Sequence, residues 1–410
     1  MSASKWQEGI EKHLRRGVSG QSGATVEAAW LDPAELQRDE WRYRDKDGRF
    51  AGIFLGYWDG RGIGTTDNRH VLTVAGSRGG KAVSLIVPNL LLYEGSVLAV
   101  DPKGELAAIT ARARREMGQK VVVLDPFGES GIPSGSFNPL DQLDPAGDLV
   151  IDDAGQIADA LIIPNDKDPH WTDSARILVK GLILYVLTLE KKEERNLCTV
   201  QRLVACNHPV IDHVVTHKKV SGPVALARLM QGQGDAFDGI VAAAGRSLAD
   251  MAEKERDSVL STARTQLEFL ESPKLRAILQ TSDLRLDELK TGATTLYLSL
   301  PATRMGTHAR WLRVIINLAL IAFERVKTSP AIPALMVLDE FAVLGPMKSV
   351  ETAAGLMAGF GVKLWIVLQD ISQGEKHYGK GWETFTGNTG VATYWSNSDK
   401  RTLEYLSERL

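Results

Sequence analysis

Residues 71–88 read VLTVAGSRGGKAVSLIVP, and the meaning of this run decides the fold. Val71, Leu72 and Val74 make a short apolar run of the kind that buries as a strand. The chain then breaks into Ala75-Gly76-Ser77-Arg78-Gly79-Gly80-Lys81-Ala82 and resumes as an apolar segment that predicts a helix over 82–92. Strand, glycine-rich turn, lysine and helix form the arrangement that wraps phosphates with backbone N–H groups. The helix start adds its free amides and positive dipole end, and Lys81 is placed to reach the outer phosphates. Two positions depart from G-x-x-x-x-G-K-[ST]: Ala75 replaces the first glycine, and Ala82 replaces the hydroxyl that would touch Mg²⁺. The competing reading is a plain glycine-rich turn before a core helix.

Outward from this run, the pattern repeats. Residues 96–100 (SVLAV) and 121–124 (VVVL) read as buried strands that end in Asp101 and Asp125, with helical periodicity over 105–117 between them. Short apolar strands alternating with helices predict a parallel sheet covered on both faces. Ligands of such sheets sit at the carboxyl ends of the strands, where the loop, Asp101 and Asp125 all fall. Upstream, residues 53–57 followed by Asp59-Gly60-Arg61-Gly62 read as a strand and turn. His70 reads either as a strand-edge residue or as a contact to a nucleotide base. Residues 1–50 are a polar lead-in with a charged knot at 38–49.

From 144 to 289 the strands give way to helical patterns at 149–163, 174–189, 199–205, 224–230, 236–270 and 273–279. Strand signals return at 294–300, 334–338, 363–368 and 390–395, with a strong amphipathic helix at 311–326. The expected division is therefore a lead-in (1–50), a first α/β part (51–143), an all-α insertion (144–289) and a second α/β part (290–410). Exposed connections are expected at 165–168 and 232–234.

Composition bounds the function. The 410 residues carry a net charge of −3, so a chain that is basic all over is excluded and any nucleic-acid contact must be local. The two cysteines, Cys198 and Cys206, lack metal-ligand spacing and suit a reducing compartment. The longest apolar run, 177–189, is too short to span a bilayer and contains Lys180. The expected location of the chain as it stands is cytoplasmic.

Asp339-Glu340 supplies the second half of the chemistry. A carboxylate at the end of an apolar strand can hold Mg²⁺ through its water shell, and the adjacent Glu340 can polarise water for attack on a γ-phosphate. The alternative is an acidic pair in a helix cap. Gln369 ends the next strand and is placed to touch a γ-phosphate or the attacking water.

The run from Val74 to Leu106, with Phe137-Asn138-Pro139-Leu140, Leu338-Asp339-Glu340-Phe341 and Gln369 ahead of Ser372-Gln373, resembles the type IV secretion coupling proteins, the TraG/TraD-like conjugation ATPases. The resemblance covers roughly residues 65–410. It implies a RecA-like P-loop NTPase domain interrupted by an all-α domain, with ATP and Mg²⁺ as ligands. It further implies a hexameric ring at the cytoplasmic face of the bacterial inner membrane, handing a relaxase–DNA complex or effector proteins to a secretion channel. Residues 75–82 would cradle the nucleotide, Asp339 would hold the metal, and Lys81, Glu340 and Gln369 would act in hydrolysis. An arginine finger is expected among Arg304, Arg310 and Arg313, with Arg313 the candidate carried forward; Arg78 faces either phosphate or a neighbouring subunit. The loop 376–380 (KHYGK) has the composition of a strand-tracking groove, although a solvated loop has it too. Two other readings stand beside the motor: a non-hydrolysing receptor that docks secretion substrates through the all-α segment, and a soluble DNA pump of the chromosome-segregation type.

Overall fold

The structure is a computed structural model that describes residues 35–36, 41–164 and 169–409. Most of the polar lead-in and the connection at 165–168 lie outside the described residues. An antiparallel hairpin, β1 (Ile53–Trp58) and β2 (Arg61–Thr65), opens the described fold. The main sheet follows: β3 (His70–Ala75), β4 (Val97–Asp101), β5 (Lys120–Leu124), β6 (Thr294–Ser299), β7 (Ala334–Leu338), β8 (Val362–Leu368) and β9 (Thr389–Trp395). Its spatial order is β5-β6-β4-β7-β8-β3-β9, and every pairing is parallel.

Strands β3, β4, β6, β7 and β8 are buried at every residue, which is why they read as unbroken apolar runs. Alternate side chains go to opposite faces. Val97, Ala99, Val337 and Val367 join one core cluster, with Leu85, Ile86, Leu106 and Ala107 of the neighbouring helices. Leu98, Val100, Leu338 and Leu368 join the other, which runs on without interruption into the helical segment. His70 lies inside β3, 3% exposed, and its Nδ1 accepts the Leu364 N–H at 3.1 Å. Buried in the sheet, it is a strand residue and does not face a nucleotide base.

The helix after the loop departs from the expected single helix over 82–92. Residues Ala82–Ile86 form a π turn, in which the Val87 N–H reaches back to the Ala82 carbonyl, and α1 (Val87–Leu92) follows. Pro88 is the physical reason. In an α register its ring would collide with the carbonyl four residues earlier and its missing N–H would leave a gap; the wider turn absorbs both. Asn89 then ties this helix to the hairpin, accepting the Phe54 N–H and donating to the Phe54 carbonyl, each at 2.8 Å.

Among the described residues no strand lies between β5 and β6. After α2 (Glu105–Glu116) and β5, the chain makes α3 (Val150–Leu161), α4 (Pro169–Leu187), α5 (Leu197–Val204), α6 (Pro209–Lys218), α7 (Gly222–Gln231), α8 (Ile240–Asp250), α9 (Glu253–Leu267), α10 (Pro273–Ile278) and α11 (Glu288–Thr291). The pattern over 236–270 is therefore not one helix. Met251 and Ala252 are extended, and Glu253 and Glu255 open a new helix whose dipole their charge suits. After β6, α12 (Ala302–Arg325) starts nine residues earlier than its apolar stripe; Thr303, Arg304 and Thr307 face outward there and hide the period. This helix is the spine between sheet and helical segment. Its Arg325 pairs with Asp153 of α3, and Asn317 accepts the Ser349 hydroxyl at the start of α13 (Lys348–Leu356). Helices α14 (Ile371–Tyr378), α15 (Trp382–Gly387) and α16 (Lys400–Arg409) complete the described chain. No helix among the described residues is long and apolar enough to cross a membrane.

Candidate nucleotide site

The loop leaves the carboxyl end of β3, one strand in from the β9 edge of the sheet. Its backbone turns through Arg78, at φ 61°, and Gly80, at φ 80°. It closes by a bond from the Gly79 N–H to the Gly76 carbonyl at 3.0 Å. The end of β9 presses on it. A Cβ at Gly76 would lie 2.1 Å from the Ser396 carbonyl oxygen, so glycine is required there, and the Trp395 indole N–H donates to the Gly79 carbonyl at 2.7 Å. These two residues of β9 and its exit are the contacts that sequence reasoning missed. They lie more than 300 positions from the loop, and no spacing signals them. A cleft of about 520 Å³ opens beside the loop, lined by Leu55, Gly79, Ser84, Leu85, Thr393, Tyr394 and Trp395.

Two strand ends, those of β7 and β8, meet on the other side of Lys81. Its Nζ stands 3.1 Å from Asp339 Oδ1 and 2.9 Å from Glu340 Oε1. The Gln369 amide, at the end of β8, donates to Glu340 Oε2 at 2.9 Å. Because β8 lies beside β7, its end brings Gln369 onto Glu340. Glu340 itself is held at φ 55° and ψ 42°, a left-handed conformation that costs a residue with a side chain about 1–2 kcal/mol. Lys81, Asp339 and Gln369 surround it, and such strain concentrates at functional sites.

Burial alone would push the Lys81 ammonium down, but Asp339 and Glu340 outweigh it and hold the pKa above the ordinary lysine value. Burial raises the Asp339 carboxyl; Lys81 counters this, while Glu340 adds to it. Asp101 ends β4, the strand next to β7, and is 1% exposed. Burial pushes its carboxyl up to about 6; the Ala107 and Leu106 amides hold it down in part, and the Asp339 charge adds to the rise. Asp125 does not join this group. It ends β5 at the far edge of the sheet, and its oxygens accept from the Gly128, Glu129 and Ser130 amides of its own loop.

The arginines read differently in three dimensions. Arg313 is 4% exposed and its guanidinium donates to three carbonyls of this chain: Ala160 at 3.2 Å, Leu344 at 2.7 Å and Pro346 at 2.9 Å. A finger must reach across to another subunit, so the expectation for Arg313 is corrected; the apolar stripe of α12 carries its side chain inward. Arg310 bonds Gln266 at 2.8 Å, and Arg304 lies over the Phe127 ring. The expected 376–380 loop is instead the last turn of α14 followed by a 3₁₀ turn over Gly379–Gly381, and the Tyr378 ring stacks on Phe341 with centroids 5.7 Å apart. It therefore packs inward and offers no free stacking face.

The donor set fits a nucleotide with Mg²⁺. Among the described residues no three His, Cys, Asp or Glu side chains gather as a metal cage. Mg²⁺ keeps most of its waters and binds through one or two carboxylates plus phosphate, and Asp339 offers such a carboxylate beside the glycine-rich loop.

A parallel sheet with helices on both faces, and a glycine-rich loop meeting an acidic strand end, define the RecA-like P-loop class. Within it, the chain belongs to the family described as Type IV secretory system Conjugative DNA transfer, which matches residues 22–410. Conjugal transfer protein TraG of Escherichia coli is 30% identical over 382 residues, covering 87% of this chain and 58% of that protein. The type IV secretion system-coupling protein VirD4 of Bartonella quintana (strain Toulouse) is 26% identical, covering 83% of this chain and 52% of its own length. The chain thus spans little more than half of these relatives. The unbound conjugative coupling protein TrwBdeltaN70 superposes with a TM-score of 0.66 at 15% identity, over 92% of this chain and 79% of that one. TrwB in complex with ADP and Mg²⁺ gives 0.62 at 16% identity, over 95% and 85%. At such identity the likeness bears on the fold alone.

Proposed function

We propose that this chain binds ATP with Mg²⁺ and hydrolyses it as the motor part of a conjugative coupling protein. The observation that carries the reading is the bond between Lys81 and Glu340, 259 positions apart, within one network that also holds Asp339 and Gln369. The loop 75–82 cradles the phosphates with its amides, and the cleft lined by Leu55, Tyr394 and Trp395 leaves room for the nucleoside. Lys81 turns from the carboxylates to the outer phosphates. Asp339 would hold the metal, since Ala82 has no hydroxyl to offer. The metal, when bound, neutralises charge on the β- and γ-oxygens. Glu340, released by Lys81, orients and polarises the attacking water, and Gln369 keeps its carboxylate aimed.

The helical segment 144–289 is read as an inserted domain that docks the cargo, either a relaxase–DNA complex or effector proteins. The ring is read as a homo-hexamer at the cytoplasmic face of the inner membrane, next to the secretion channel. The family and the relatives named for conjugal transfer and for type IV coupling support this placement. Ala75 and Ala82 favour one rival, a receptor that binds nucleotide without hydrolysing it. ATPase rates with and without single-stranded DNA, measured on wild type, Lys81→Ala and Glu340→Gln, separate the two. The motor requires a wild-type rate well above both variants; equal rates in all three would dispose of it.

A further inference from the structure

Arg313 is a buried cation whose bonds leave its own helix in two directions. Its Nε caps the carboxyl end of α3 at the Ala160 carbonyl, where a helix leaves carbonyls without partners. Its Nη1 takes the carbonyls of Leu344 and Pro346, which lie four and six residues beyond Glu340. The stretch between is stiff: the Val343 N–H bonds the Glu340 carbonyl at 3.0 Å, and Gly345 N–H bonds Ala342 at 3.1 Å. Phe341 is buried against Tyr378, whose hydroxyl accepts the Met347 N–H at 3.2 Å. These contacts hold the turn together, and its end is tied to the carboxyl end of α3 through the Arg313 guanidinium.

Glu340 has reason to move. It sits in a left-handed conformation with its carboxylate bound to Lys81, and a phosphate arriving at Lys81 competes for that bond. We infer that Arg313 is a positioning residue that couples the nucleotide site to the helical segment: exchange of the Lys81–Glu340 bond for a Lys81–phosphate bond shifts the 341–346 turn and, through Arg313, the end of α3. The coupling is reciprocal, so whatever displaces α3 alters nucleotide affinity by the same factor. This rests on the nucleotide reading above.

The test is amide hydrogen exchange by mass spectrometry on the full chain, with and without a non-hydrolysable ATP analogue and Mg²⁺. Binding of a fluorescent ATP analogue is measured on the same samples. In wild type, peptides over 341–347 and over 155–163 both change their exchange rate on binding, by about five-fold or more. In Arg313→Met the first still responds and the second does not, while peptides over 240–267 report an intact fold. Should Arg313→Met fail that control, Arg313→Lys carries the test. It keeps the cation but not the fork that spans three carbonyls, and its response at 155–163 falls well below wild type. A response at 155–163 that survives both variants overturns the inference, as does a silent 155–163 in wild type that binds the analogue. Failure of wild type to bind the analogue at all overturns the nucleotide reading instead.

Discussion

Replacing Glu340 by glutamine should tighten nucleotide binding while stopping turnover. Glu340 Oε1 stands 2.9 Å from Lys81 Nζ, and both side chains are mostly buried. At an effective dielectric near 20, a pair at that separation is worth about 5–6 kcal/mol of gross attraction. A phosphate must win the lysine from this partner and from Asp339, which stays within 3.1 Å. Glutamine keeps the shape and an acceptor oxygen but removes the charge that competes. Desolvation cancels most of the gross figure, leaving a net gain of roughly 1–2 kcal/mol, or about 5- to 30-fold in affinity. The same change removes the group that polarises water, which should lower kcat by about 10²- to 10³-fold. Fluorescent-nucleotide titration and phosphate release on one preparation read both effects. A variant that binds nucleotide more weakly than wild type, or hydrolyses it at the wild-type rate, refutes the assignment of Glu340.

Three further outcomes follow from the geometry. Asp101 has a folded-state pKa near 6 against an ordinary 3.8, so between these values the native state keeps a proton that the unfolded chain has released. Stability should therefore fall as pH rises from about 4 to about 6, by roughly 2–3 kcal/mol from this group. Asp101→Asn still accepts the Ala107 N–H and should flatten that fall, so that urea midpoints at pH 5 and pH 8 lie closer together than in wild type; parallel curves would contradict it. Gly76→Ala pushes a methyl group into the Ser396 carbonyl and should cost about 1–3 kcal/mol of stability or more than tenfold in nucleotide affinity, seen by thermal melts with and without ATP analogue. Ala82→Ser restores the hydroxyl missing from the loop and should raise the Mg²⁺ dependence of nucleotide binding by about five-fold, read by titration at varied Mg²⁺.

The sheet was legible because its strands are buried on both faces and so read as apolar runs ending in polar residues. The loop was legible from Gly79-Gly80-Lys81, and Asp339-Glu340 from its place at a strand end. Four features were not. Arg313 reads in the sequence as the candidate finger beside Arg304 and Arg310, since a sequence records a charge but not the direction its helix turns it. The contact of Trp395 and Ser396 with the loop joins chain ends that only the strand order brings together. The left-handed Glu340 leaves no compositional mark, because a glutamate there is chosen for its carboxylate and not for its backbone. The break at Met251-Ala252 was missed for a simpler reason: the apolar period continues across it.

The most direct measurement is equilibrium binding of an ATP analogue with Mg²⁺ to wild type and to Lys81→Ala, with thermal melts as the fold control. If Lys81 is the cation that exchanges Asp339 and Glu340 for phosphate, affinity drops by about a hundredfold or more while the fold persists. Equal affinity in the two proteins would place the nucleotide elsewhere and contradict the account.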